Sequence, residues 1–175
     1  MSPRVVVEQV IRSWSTQDVE STLAHCSDDV VYSVNIAAEA APFAGTSEGK
    51  DAVRAALHLM LEMFDYLKFD QVVVGVAGDV VRVQTQFKLH HRRTGSNLEG
   101  SMRSVFTVRN GLVARCEEYL DESLVEAFMR LVRQREAENI IFVPPSLPAR
   151  APKGGAGGPA RPTSVPETPD EKHCE

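Results

Sequence analysis

A chain of 175 residues, 43% hydrophobic and 25% charged, has the makeup of one ordinary globular domain. Its net charge of −5 argues against nucleic acid as the main partner, because phosphate binding needs a basic surface. Cys26, Cys116 and Cys174 are too scattered for a disulfide framework or a zinc site, and no apolar run approaches the ~20 residues that span a bilayer. Met1-Ser2-Pro3-Arg4-Val5 lacks the apolar core of a signal peptide, so a reducing cytoplasm is the expected setting, with no membrane partner.

Ser2-Pro3 marks a helix start, followed by Val6, Val7, Val10, Ile11 and Trp14 at helical spacing. Asp18 can cap a second short helix in which Val19, Leu23 and Cys26 share a face. Val30 to Ile36 is β-branched and reads as a strand, with Tyr32 and Val34 on one side; Asn35 joins them only through a bulge. Ala37 to Glu48 reads as a loop. An amphipathic helix is expected over Lys50 to Tyr66, its stripe made of Val53, Leu57, Met60, Leu61 and Phe64.

Two strands follow, about Lys68–Val76 and Asp79–His91, hinged at Ala77-Gly78-Asp79. In the second, Val81, Val83, Thr85, Phe87 and Leu89 face one way, and Arg82, Gln84, Gln86, Lys88 and His90 the other. The next strand alternates Leu98, Gly100, Met102, Ser104, Phe106 and Val108 against polar residues. Asn110-Gly111, a strong hairpin signal, joins it to Leu112–Asp121. There the expected core face is Leu112, Ala114, Cys116, Glu118 and Leu120. A last helix carries Leu124, Val125, Phe128, Leu131 and Val132 on one side. Met1–Val143 is thus expected to form the folded domain. Pro144–Glu175, with eight of the ten prolines and a Gly154-Gly155-Ala156-Gly157-Gly158 run, is expected to be a disordered tail. The class is α+β, a curved antiparallel sheet wrapped around helices with a cavity at its open end.

Glu118 is the misplaced residue of the inner face. A carboxylate there is paired, hydrogen-bonded or held protonated, since an isolated charge in apolar surroundings is costly. It reads either as a general acid/base with a raised pKa or as a structural acid bonded to an amide or arginine. Asp121, at the strand–helix junction, reads as a cap. Tyr32 can donate its phenol into the pocket, or serve as a half-buried strand aromatic. Asn35, Trp14, Tyr66, Thr85, Ser104 and Cys116, with Met60, Phe64, Phe87 and Met102, complete the expected ligand-binding lining. His90 and His91 point to opposite faces and cannot share a metal, and no metal-binding motif is present, so no metal or other cofactor is expected.

The element order, the Gly49-Lys50-Asp51-Ala52-Val53 helix start and the ending Arg109-Asn110-Gly111-Leu112…Glu118-Tyr119-Leu120-Asp121 resemble the SnoaL-like family of the nuclear transport factor 2-like superfamily. The resemblance covers roughly Met1 to Arg135 and implies a cone-shaped α+β barrel. The superfamily includes ketosteroid isomerases, polyketide cyclases and epoxide hydrolases, alongside members that only bind or scaffold. The epoxide-hydrolase branch's acid-aromatic-apolar-acid run matches Glu118-Tyr119-Leu120-Asp121, which implies Glu118 as the catalytic acid. Its water-holding tyrosine matches Tyr32. Its Arg-x-Asp falls on Thr85-Gln86-Phe87, so the water-activating triad is incomplete here. The isomerase branch carries a tyrosine on its first helix as an oxyanion donor, whereas the prominent aromatic there in this chain is Trp14, which is not a phenol. The resemblance implies cofactor-free acid–base chemistry on a small, largely hydrophobic molecule, of isomerase, cyclase or hydrolase kind. The alternative is a non-catalytic ligand-binding or scaffold module. It also implies a homodimer paired through the outer sheet face.

Overall fold

The computed structural model describes residues 1–141; the tail expected from Pro144 lies outside them. Helix α1 (Pro3–Trp14) begins on the proline, whose missing N–H costs nothing in a first turn, and buries Val6, Val7, Val10 and Trp14. Full burial of each such side chain contributes about 1.5–3 kcal/mol. Asp18 caps α2 (Val19–Leu23) by accepting from the Ser21 amide at 2.9 Å. Helix α3 spans Lys50–Met63 and α4 spans Glu122–Ile141. Asp121 accepts from the Leu124 amide at 3.2 Å, so it is indeed a cap. On α4 the buried set is Val125, Phe128, Met129 and Val132, while Leu131 is exposed, which shifts the expected stripe by a fraction of a turn.

Six strands form one sheet in the order β2-β1-β6-β5-β4-β3: β1 Cys26–Val34, β2 Gly45–Glu48, β3 Phe64–Ala77, β4 Val80–His91, β5 Asn97–Arg109 and β6 Leu112–Tyr119. The α+β class and the curved sheet are as expected, but the sheet is mixed and is not closed into a barrel. Its one parallel junction is β1 with β6, where Tyr32 lies beside Cys116 and Val34 beside Glu118. β2, read as loop, is a short edge strand held by backbone pairing and a 3.0 Å Ser33–Thr46 hydroxyl bond. The α3–β3 boundary falls earlier than expected. Phe64 and Tyr66 are strand residues paired with His91 and Leu89, not the end of a helical stripe.

Asn110 and Gly111 both have positive φ, 52° and 77°, the conformation a two-residue hairpin turn requires. Beyond that turn the inward parity differs from expectation. Val108 pairs with Val113 and Thr107 with Arg115, so Ala114 is an extra residue in a β-bulge. Val113 is buried and Leu112 exposed, the reverse of the simple alternation. After the bulge Cys116 and Glu118 face inward, as expected.

Two apolar clusters fill the concave side. One gathers α1, α2 and α3 over the start of the sheet, and the other gathers α4 with Phe64, Phe87, Leu89 and Leu98. Tyr32, Tyr66 and Phe69 pack against both. The candidate site lies at that seam.

Candidate active site

Register places the central acid. Glu118 stands opposite Ser104 on β5 and beside Val34 on β1, on the inner face. Two residues back along β1, Tyr32 projects to the same side. Its Oη donates to Glu118 Oε2 at 2.8 Å. Both residues border a cavity with about 90 Å³ of space open to the centres of water-sized molecules. That is a small site, below the ~300–1,000 Å³ typical of drug-sized ligands.

The walls are largely apolar. Trp14 and Val10 come from α1, Leu57 and Met60 from α3, and Phe87, Met102, Phe106 and Cys116 from the sheet. Trp14 meets Tyr66 edge-on at 5.6 Å, and Tyr66 meets Phe69 at 5.0 Å, so one aromatic wall is locked by T-shaped packing. Among the described residues, no lysine, arginine or histidine borders the cavity. Burial therefore dominates the acid's titration. Desolvation lifts the Glu118 carboxyl to about 7, and the Tyr32 hydrogen bond, which favours the anion, offsets only part of this. The same burial, with the Glu118 charge nearby, pushes the Tyr32 and Tyr66 phenols well above their ordinary values. Both remain hydrogen-bond donors. Burial raises the Cys26 thiol to about 11 and also raises Cys116, so neither is a thiolate nucleophile at neutral pH.

Of the residues expected at the site, Glu118, Tyr32, Trp14, Met60, Tyr66, Phe87, Met102 and Cys116 border the cavity together. Four do not. Asn35 is exposed and spends its amide on the Glu118 main-chain oxygen at 3.2 Å, since no bulge turns it inward. Phe64 is fully buried against Phe43, Phe128 and His91. Thr85 and Ser104 lie on the inner face but are sealed beneath its surface, and their hydroxyls have no partner among the described residues. Phe43, from the loop before β2, and Gln71 on β3 also border the cavity. Gln71 interrupts the alternation Phe69, Gln71, Val73, a signal readable from sequence; Phe43 carries none.

The His91 ring is buried against Phe64 and Phe128, and its Nδ1 lies 3.0 Å from the Thr94 hydroxyl. Burial lowers its pKa, and it acts as a structural pin between the β4–β5 hairpin and α4. Among the described residues, no group of His, Cys, Asp or Glu could hold a metal ion, and no helix is long and apolar enough to cross a membrane.

The sequence matches the SnoaL-like domain family over residues 7–116. No curated protein matches it significantly. Among solved structures, an NTF2-like protein from Burkholderia thailandensis is 23% identical with a TM-score of 0.66, over 74% of this chain and 98% of that one. A protein from Bacillus subtilis, provisionally named an isomerase, is 20% identical with a TM-score of 0.64, over 74% and 96%. A provisionally named SnoaL-like polyketide cyclase from Mesorhizobium loti is 18% identical with a TM-score of 0.59, over 69% and 100%. At these identities the likeness speaks to fold, and the family match covers more than half of the sequence. The chain belongs to the SnoaL-like family and has the nuclear transport factor 2-like fold.

Proposed function

We propose that the chain is a cofactor-independent acid–base enzyme of isomerase or cyclase type, acting on a small, mostly hydrophobic molecule. One observation carries this reading. A carboxyl with a pKa of about 7 accepts a phenol's hydrogen bond at 2.8 Å in a cavity where, among the described residues, no cation meets it. A base poised near neutrality holds a large ionised fraction while keeping proton affinity, the compromise that general acid–base catalysis favours. Glu118 takes a proton from carbon next to a ligand carbonyl and can return it at a neighbouring atom. Tyr32 orients the carboxylate through Oε2. Once Glu118 is protonated, the phenol is free to donate toward the negative charge that develops on the ligand oxygen. Water activation by an Arg–Asp pair has no support, since Thr85 is sealed and Phe87 is apolar at the matching positions.

The test is hydrogen–deuterium exchange of the α-protons of 2-tetralone in D₂O, followed by NMR. Exchange should exceed the buffer rate, rise with pH to a plateau above about 7, and vanish in Glu118→Gln. Exchange no faster than buffer, or undiminished in Glu118→Gln, overturns the reading and leaves a non-catalytic binding module. We also propose that the protein pairs as a homodimer through the outer sheet face, where Val72 and Val74 are exposed beside Arg82, Gln84, Arg103 and Tyr119.

A further inference from the structure

Several polar groups lining the cavity are not used by this chemistry, among them Thr22, Tyr66 and Gln71. Gln71 stands directly opposite Thr85 in the β3–β4 ladder, and opposite residues share a face, so its side chain lies on the inner side. Its neighbours along that face are Phe69 and Val73. An amide among apolar side chains is costly unless a partner meets it.

Gln71 also begins a diagonal of polar side chains across the concave face. Thr85 is opposite it, Ser104 follows on β5, and Ser104 stands opposite Glu118. The two middle hydroxyls are sealed in the floor, with 0% and 1% exposure. The two ends, Gln71 and Glu118, both border the cavity. Three strand spacings and a two-residue offset along β5 separate them, about 16 Å at the backbone. The sheet curves, so their tips on the concave side are nearer than that.

We infer that Gln71 is a specificity-determining residue of the Glu118 site, hydrogen-bonding a second polar group at the far end of an uncharged, elongated ligand. This rests on the reading of Glu118 and Tyr32 as the ligand-facing pair. An amide donates and accepts, so it takes a hydroxyl or a carbonyl equally well. A charge at that end finds no counter-ion among the described residues of the lining, and an anion also meets the field of Glu118. The ligand class is a flat apolar body about two rings long with an oxygen at each end.

Calorimetric titration of the full chain with 2-naphthol, 2,6-dihydroxynaphthalene and 6-hydroxy-2-naphthoate tests this. The diol should bind about fivefold or more tightly than 2-naphthol, the size of one added hydrogen bond. In Gln71→Leu that advantage should fall below about twofold, with an unchanged far-ultraviolet circular dichroism spectrum showing that the variant folds. The naphthoate should bind at least about tenfold more weakly than the diol. A diol advantage that survives in Gln71→Leu, or a naphthoate that binds as well as the diol, overturns the assignment. A Gln71-dependent advantage without tetralone exchange would retain this subsite and remove the acid–base reading; exchange without the advantage would do the reverse.

Discussion

Replacing Glu118 with glutamine turns a raised pKa into a pH-dependent stability difference. The carboxyl titrates at about 7 when folded, against an ordinary 4.5. The gap is about 2.5 units at about 1.4 kcal/mol each, so ionisation costs the folded state roughly 3 kcal/mol. Below the ordinary value both folded and unfolded chains hold the proton, and no penalty exists. As pH rises from there, the unfolded chain releases its proton first and stability falls, levelling off above about 7. Glutamine carries no such penalty and can still accept the Tyr32 hydroxyl, although its new N–H donors offset part of the gain. The variant should match the parent near pH 4 and exceed it by about 2–3 kcal/mol near pH 8, equivalent to roughly 6–10 °C in Tm for a domain of this size. Urea unfolding followed by the fluorescence of Trp14, the single tryptophan and a buried one, reads this directly. A variant less stable than the parent near pH 8, with the gap closing in acid, would mean the fold stabilises the anion, and the argument from desolvation would be wrong.

Thr85→Val removes a buried hydroxyl that has no partner among the described residues, so it should stabilise the protein by about 1 kcal/mol in urea denaturation; destabilisation of that size would reveal a hidden partner. Gly100→Ala places a methyl 2.9 Å from Leu124 Cδ2 on α4 and 3.3 Å from Phe87 Cζ at the cavity wall. Because Leu124 Cδ2 is the end of a movable side chain, the change should cost no more than about 1 kcal/mol and be partly recovered in Leu124→Ala, whereas a loss above about 3 kcal/mol would show that neither Leu124 nor Phe87 can give way. Light scattering should give about twice the 19.2 kDa chain mass, falling to the single value in Val74→Arg; a parent that is already monomeric refutes pairing through the outer face.

Much of this fold is legible residue by residue, because alternation on β4 and β5 and the Asn110-Gly111 turn are local signals. Glu118 stands out for the same reason, as a single acid at an apolar parity. The bulge at Ala114 is not legible. It reverses the faces of Leu112 and Val113, and what fixes it is pairing with β5 rather than composition. The end of α3 is set the same way, since Phe64 and Tyr66 suit either a helix stripe or a strand until pairing with β4 decides. The edge strand β2 has no apolar pattern. The β1–β6 pairing joins distant segments and leaves no trace in either. The cavity's content follows this division. Its strand residues are readable, while Phe43 arrives from a loop and Asn35 is turned away by a strand that ends one residue too soon.

That β1–β6 junction has a consequence for how the protein is made. Tyr32 and Glu118, joined by one hydrogen bond, are 86 residues apart in the chain. On a ribosome the phenol is exposed long before its acid exists, and β1 must wait, with its inner edge unpaired, for the last strand to emerge. Pairing across so long a loop comes late and slowly. A half-finished chain holds apolar walls without the carboxyl that borders them, and an unpaired strand open to its neighbours on the same message. The step that completes the sheet therefore also completes the site.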